Sequence, residues 1–137
     1  MKILIVDDNL PYAALIKNSI LSWNYDAEIS ETGEDALKLL REKPFELILL
    51  DIYLPDCMGY ELIPKIKGIK YDIGIVTMTG FNSKELELEV RQQGIFCYLI
   101  KPFSLVVLKE LIDHISKMKQ KEIRKNSAIR PKYGSAF

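Results

Sequence analysis

The feature that most constrains this chain is an alternation. Five short strand-like runs, ILIV (3–6), AEIS (27–30), ELILL (46–50), IGIVTM (73–78) and IFCYLI (95–100), are separated by segments with helical period. Between the first two, Pro11 to Trp23 places Ala13, Ile16, Ile20 and Trp23 on one 3.6-residue stripe. Thr32-Gly33 opens a second helix through Leu37 and Leu40, stopped by Pro44. A third is expected from about Tyr60 to Lys67, with Pro64 kinking it or weakening its first half. The last runs from Ser104 past Met118 on the stripe Leu105, Leu108, Ile112, Ile115. Strands joined by helical crossovers lie parallel, and a parallel sheet is covered on both faces. The expected class is therefore α/β, a doubly wound five-stranded parallel sheet with five helices.

One segment reads two ways. KELELEV (84–90) alternates with the period of a strand, but its residues are strong helix formers and Gly94 stands where a helix-terminating glycine belongs. We read it as helix. Leu86 and Leu88 are then roughly 200° apart round the axis, so one of them faces away from the core.

Composition narrows the classes. With 137 residues, 48% hydrophobic and 28% charged, the chain has the make-up of one globular domain. Its longest apolar run is about six residues, against roughly 20 for a membrane span. Asp7 and Asp8 cut short the apolar stretch after Met1-Lys2, so no secretory leader is read and a cytoplasmic location is expected. Cys57 and Cys97 lie far apart without further ligands at metal-binding spacing, and are read as reduced apolar residues. The net charge of zero hides an asymmetry: residues 1–116 carry 12 Lys/Arg against 18 Asp/Glu, and residues 117–137 carry seven against one. After about Gln120 the periodicity fades, so 1–120 is expected to be the domain and 121–137 a flexible basic tail or linker.

In an open parallel sheet, ligands bind beyond the carboxyl ends of the strands. Here those ends carry Asp7 and Asp8, then Asp51, then Thr79-Gly80, then Lys101-Pro102. Three carboxylates at one rim repel each other and call for a cation or a proton. All-oxygen donors select Mg²⁺, with Mn²⁺ as the alternative, over zinc. A lysine and a hydroxyl at the same rim suit a phosphoryl group.

With these residues placed, the chain resembles the receiver domain of two-component response regulators, the flavodoxin-like family that includes the chemotaxis regulators. VDD (6–8), LLDIYLPDCMG (49–59), VTMTG (76–80) and YLIKPF (98–103) carry the resemblance, over about residues 1–120. It implies strand order 2-1-3-4-5 and these roles. Asp51 accepts a phosphoryl group from the phosphohistidine of a sensor kinase or phosphotransfer protein. Asp8, Asp51 and the backbone carbonyl of Tyr53 bind Mg²⁺, and Asp7 acts through water. Lys101 pairs with Asp51 and then with the phosphate, and its bond to Pro102 is cis. Thr79 bonds the phosphate and draws its loop inward, and Tyr98 is the rotating aromatic that reports the movement. Tyr53 and Phe81 occupy positions that govern access of water to the acyl phosphate; both are bulky, so slow self-dephosphorylation is expected. Asn9 replaces a third acidic residue common in the family, with little expected consequence.

The resemblance also implies that the fourth helix, fifth strand and fifth helix form the partner face, where an outward Leu88 would suit a second receiver. The chain is then a switch and not a turnover enzyme, with no membrane partner and no direct nucleic-acid contact. His114, the only histidine, has no companion motif for a phosphohistidine role. The rival class is a Mg²⁺-dependent phosphohydrolase of the haloacid dehalogenase kind. Its nucleophile ends the first strand in an Asp-x-Asp pattern, whereas Asp7-Asp8 is followed by Asn9 and Leu10. A receiver used unphosphorylated, as a scaffold, is the third alternative.

Overall fold

The structure is a computed structural model that describes the backbone of residues 1–134 and the side chains of residues 1–125. Its strands are β1 (Lys2–Val6), β2 (Asp26–Ser30), β3 (Leu47–Asp51), β4 (Gly74–Thr79) and β5 (Cys97–Ile100). They alternate with helices α1 (Leu10–Ser22), α2 (Gly33–Glu42), α3 (Gly59–Ile69), α4 (Lys84–Arg91) and α5 (Leu105–Gly134). All strand pairs are parallel, in the order β2-β1-β3-β4-β5. Ile3 to Val6 and Leu47 to Leu50 are fully buried, which is why ILIV and LILL read as unbroken apolar runs. The register sets Val6 beside Leu50, Asp51 beside Met78 and Thr79 beside Ile100, so the acidic and basic strand ends share one rim.

Local chemistry starts the helices. Asn9, Thr32 and Ser83 cap α1, α2 and α4, each accepting the N–H three residues on, from Tyr12, Asp35 and Leu86. Trp23 lies one residue beyond α1 as its C-cap, and so does not extend the Ala13, Ile16, Ile20 stripe. Pro64 sits inside α3, which is nevertheless one helix held down by buried Leu62, Ile63 and Ile66. In α4, Val90 is buried and Leu86 packs against the core, while Leu88 is 61% exposed. Helix propensity therefore prevails over the period-two pattern there, and Leu88 is the leucine that faces out.

Internal contacts divide the chain into two units, residues 1–105 with the sheet and α1 to α4, and the residues from Val106 onward. In the second, Leu108, Ile112 and Ile115 are buried along one stripe of α5. The backbone of α5 continues to Gly134, so residues 121–134 are helical where a flexible tail was expected. Six of residues 121–134 are glutamate, lysine or arginine, good helix formers, and lost apolar periodicity removes a packing stripe without removing that propensity. Residues 135–137 of the expected tail lie outside the described residues. No helix among the described residues is long and apolar enough to cross a membrane.

Candidate functional site

Asp7 and Asp8 follow β1 directly, and Asp51 closes β3, the strand beside it. One carboxylate oxygen from each can be chosen so that all three lie within 4.8 Å of one another. Asp7 is fully buried, Asp51 is buried and Asp8 is exposed, so the cluster opens to solvent on one side. An open cavity of about 370 Å³ is lined by Asp7, Asp8, Asn9, Asp51, Tyr53, Gly80, Phe81 and Lys101.

Lys101 enters this cluster from the end of β5. Its Nζ lies 2.7 Å from Asp7 Oδ2 and 3.1 Å from Asp51 Oδ2, and 4.8 Å above the Tyr12 ring. The expected pairing with Asp51 is present, and the contact with Asp7 is the shorter of the two. Burial by itself would lower the lysine's pKa, but hydrogen bonds and charge from Asp7 and Asp51 raise it. The Lys101–Pro102 bond is cis. Two backbone N–H groups hold the remaining oxygens: Asn9 donates to Asp7 Oδ1 at 2.9 Å and Tyr53 to Asp51 Oδ1 at 3.1 Å.

One ammonium does not balance three carboxylates. Burial pushes Asp51 up to about 6, with Lys101 opposing and the charge of Asp7 adding to the rise. The folded carboxyl therefore holds its proton at pH values where an unfolded aspartate, near 3.9, has lost it. Without divalent cations, stability falls as pH rises from about 4 through about 6, by on the order of 2 kcal/mol from this group. Comparing urea midpoints of wild type and Asp51→Asn across that range checks it, since only the wild type carries this slope. Parallel curves would contradict it.

Thr79 ends β4 fully buried, with Oγ1 accepting the Phe81 N–H at 3.0 Å. A hydroxyl that accepts one bond keeps its own proton for another acceptor. The carbonyl of Thr79 accepts the Lys101 N–H at 2.8 Å, so the two functional strand ends are tied through their backbones. Tyr98 is turned inward, 6% exposed, and its hydroxyl donates to Asn82 Oδ1 at 2.8 Å. The Arg91 guanidinium stands 5.6 Å from its ring centre. At the cavity mouth the Tyr53 and Phe81 rings meet edge to face, with centres 5.5 Å apart.

Asp7, Asp8, Asp51 and Lys101 thus converge on one cavity, Thr79 is tied to them through the Lys101 backbone, and Tyr98 lies outside the acidic cluster on the β5 side. Two neighbours of the site carry no mark in the sequence: Tyr12 over the lysine and Asn82 on the tyrosine. Each is a single residue in a helix turn or loop, and neither periodicity nor spacing marks it.

Comparison with known proteins places this rim in context. The profile described as the response regulator receiver domain matches residues 3–113. The transcriptional regulatory protein ZraR of Salmonella typhimurium is 33% identical over 111 residues, 81% of this chain and 25% of that protein. The chain therefore spans about a quarter of the length of that curated relative. A two-component response regulator from Clostridium difficile has 28% identity and a TM-score of 0.82, over 85% of this chain and 96% of that one. A response regulator protein from Burkholderia pseudomallei has 26% identity and a TM-score of 0.75, over 91% of this chain and 74% of that one. That structure is described as containing a phosphorylated aspartic acid, a calcium ion and citrate. Strand order, the acidic cluster with its lysine, and a profile match spanning most of the chain agree: this chain belongs to the response regulator receiver domain family of two-component signalling.

Proposed function

We propose that Asp51 is the phosphoacceptor of this receiver, taking a phosphoryl group from a phosphohistidine on a sensor kinase or histidine phosphotransfer protein. The observation that carries this is the position of Lys101, within 3.1 Å of both Asp7 and Asp51, two of the three carboxylates clustered there. In the transfer the P–N bond to imidazole breaks and a P–O bond to Asp51 forms, with the imidazole as leaving group. Charge develops on the equatorial phosphoryl oxygens, so catalysis is mainly positioning and cation stabilisation. Lys101 supplies one positive charge, and its two carboxylate partners hold it in place. The free proton of Thr79 is available to a phosphoryl oxygen once the acyl phosphate forms.

The donor set fits a hard divalent cation: three carboxylates, one of them exposed, of which Lys101 pairs with two. Asp8, Asp51 and the Tyr53 carbonyl would hold Mg²⁺, or Mn²⁺ in its place, with Asp7 acting through water. When bound, the ion neutralises charge on the carboxylates and on the transferring group. The Burkholderia pseudomallei relative, whose structure contains both a phosphorylated aspartic acid and a calcium ion, supports a cation here.

The test is intact mass after incubation with acetyl phosphate and Mg²⁺. One phosphoryl group per chain, with donor consumption stopping there, is expected. Continued turnover over many equivalents would instead favour a hydrolase. The Tyr53–Phe81 ring pair supplies neither carboxylate nor amide to orient an attacking water, so the acyl phosphate decays slowly. Its lifetime, followed by mass after donor removal, should far exceed seconds.

A phosphohistidine has to be presented at the cavity mouth, and α1 begins there. Its exposed residues include Leu10, Ala14, Leu15 and Leu21 beside Asn18 and Ser22, all uncharged, although solvated helix faces usually carry charge. Leu15→Asp is expected to cut phosphotransfer from the cognate kinase at least tenfold while leaving acetyl phosphate labelling unchanged. Equal loss with both donors would contradict a docking role.

Phosphorylation adds charge and acceptor oxygens that draw on Thr79 and Lys101, biasing the loop after β4 and, through Tyr98, the surface of α4 and β5. Outward Leu88, with Phe96 and Ile100 also exposed, leaves apolar area there for a second receiver or an output partner. Residues 1–120 as the receiver, 121–137 as a basic connection, and a cytoplasmic setting with both cysteines reduced complete the proposal.

A further inference from the structure

The segment from Ile52 to Met58 carries one proposed ligand, the Tyr53 carbonyl, yet has no regular structure beyond a bridge between Tyr53 and Met58. Its base is closed by the Gly59 N–H donating to the Ile52 carbonyl at 2.5 Å and by Leu54 N–H to the Cys57 carbonyl at 3.2 Å. Its tip, Pro55 and Asp56, is exposed. Ile52 is buried and Leu54, Cys57 and Met58 pack against the core, so the exposed tip is the part of the loop that packing does not hold.

The tip is fastened elsewhere. Asp56 Oδ1 accepts the Gly33 N–H at 2.9 Å and Oδ2 the Glu34 N–H at 3.0 Å. These are the first two residues of α2, and Thr32 accepts the Asp35 N–H of the same turn. Helix N-termini leave such donors without partners and favour negative charge, so a carboxylate is well suited to the seat. The Gly33 hydrogen bond, chief among several, holds the Asp56 carboxyl below the usual aspartate range. A second, independent contact lies alongside: a Cβ at residue 33 would come 2.6 Å from Cys57 Sγ and 2.8 Å from Leu62 Cδ1. The loop residue after Asp56 thus rests directly on the glycine that opens α2.

We propose that Asp56 is a positioning residue for the divalent cation, clamping the loop tip onto α2 so that the Tyr53 carbonyl and the Asp51 carboxylate keep a fixed relation to Asp8. Without the clamp every ligand remains, but their spacing fluctuates. Ion affinity then falls while the transfer step at saturating ion is retained.

Because the role rests on the cation site proposed above, ion binding is measured directly on the full chain, by the electron paramagnetic resonance of free Mn²⁺. Thermal unfolding in EDTA and the acetyl phosphate rate over a Mg²⁺ series are measured alongside. Asp56→Ala is expected to weaken Mn²⁺ about tenfold, as losses of outer-shell support do, with the rate recovering at high Mg²⁺. Asp56→Asn should fall between, since one amide oxygen replaces two carboxylate oxygens, and it carries the comparison should Asp56→Ala not fold. Thr32→Ala removes a different cap from the same helix. It should lower the melting temperature comparably and leave Mn²⁺ affinity unchanged. Wild-type Mn²⁺ affinity in Asp56→Ala, or an equal loss in Thr32→Ala, overturns the clamp. A wild-type chain that binds no Mn²⁺ overturns the cation site itself and the clamp's role with it.

Discussion

Asp51→Asn protein takes up no phosphoryl group from acetyl phosphate under conditions in which the wild-type chain gains one, a complete loss by intact mass. The amide cannot act as the attacking oxygen, although it occupies the same space and can still accept the Tyr53 N–H. The same substitution should make the metal-free protein more stable near pH 7. Asp51 is buried with its pKa raised to about 6 beside Asp7, so ionising it at neutral pH works against the fold. Replacing a crowded carboxylate with a neutral isostere removes that opposition, by on the order of 2 kcal/mol. Mg²⁺ should reverse the ranking, stabilising the wild type by about 2.7 kcal/mol at a hundredfold excess over its dissociation constant and the variant far less. Thermal unfolding with EDTA and with Mg²⁺ supplies the four numbers. Retained labelling in Asp51→Asn would place the acceptor elsewhere. A variant no more stable than wild type in EDTA would mean that Lys101 alone neutralises the cluster.

Gly59→Ala is the second large effect. A Cβ at that position would collide with the Asp51 carbonyl oxygen and lie 2.8 Å from Ile52 Cα. Both are backbone atoms, so no side-chain rotation relieves the overlap, and α3 must move away from the end of β3. Such overpacking costs roughly 3 kcal/mol, which lowers the melting temperature by about 10 °C in a domain of this size. Because the displaced atoms belong to the phosphoacceptor itself, acetyl phosphate labelling should slow as well. Gly68, on the same helix, is the internal control. Nothing lies within 4 Å of its would-be Cβ and it is exposed, so Gly68→Ala should stabilise by about 0.5–1 kcal/mol. Two glycine-to-alanine changes nine residues apart are thus expected to have opposite signs. A mild effect at Gly59 would mean that the helix start shifts freely relative to Asp51.

Much of the fold was legible before any coordinates, because its signals are local. ILIV and LILL are apolar on both faces, which only a covered parallel sheet requires, and each helix carries its own cap or stripe. In KELELEV propensity and period conflicted, and helix propensity prevailed because only Leu86 and Val90 needed burial. The weakest part was the chain beyond Gln120. Residues 121–134 mix charged and polar residues with scattered apolar ones and offer no apolar stripe to read, yet α5 runs on to Gly134.

By itself the sequence determined which residue types stand at the strand ends, since a strand's apolar run stops visibly and the next residue is simply there. Asp7, Asp8, Asp51, Thr79 and Lys101 were identifiable on that ground. Which atoms meet was decided by tertiary structure alone. Lys101 lies closer to Asp7 than to Asp51, Tyr98 donates to Asn82, and Asp56 clamps α2, across separations of 94, 16 and 23 residues. Such pairings depend on strand register and on the paths of loops between elements. Periodicity along one segment carries no information about either.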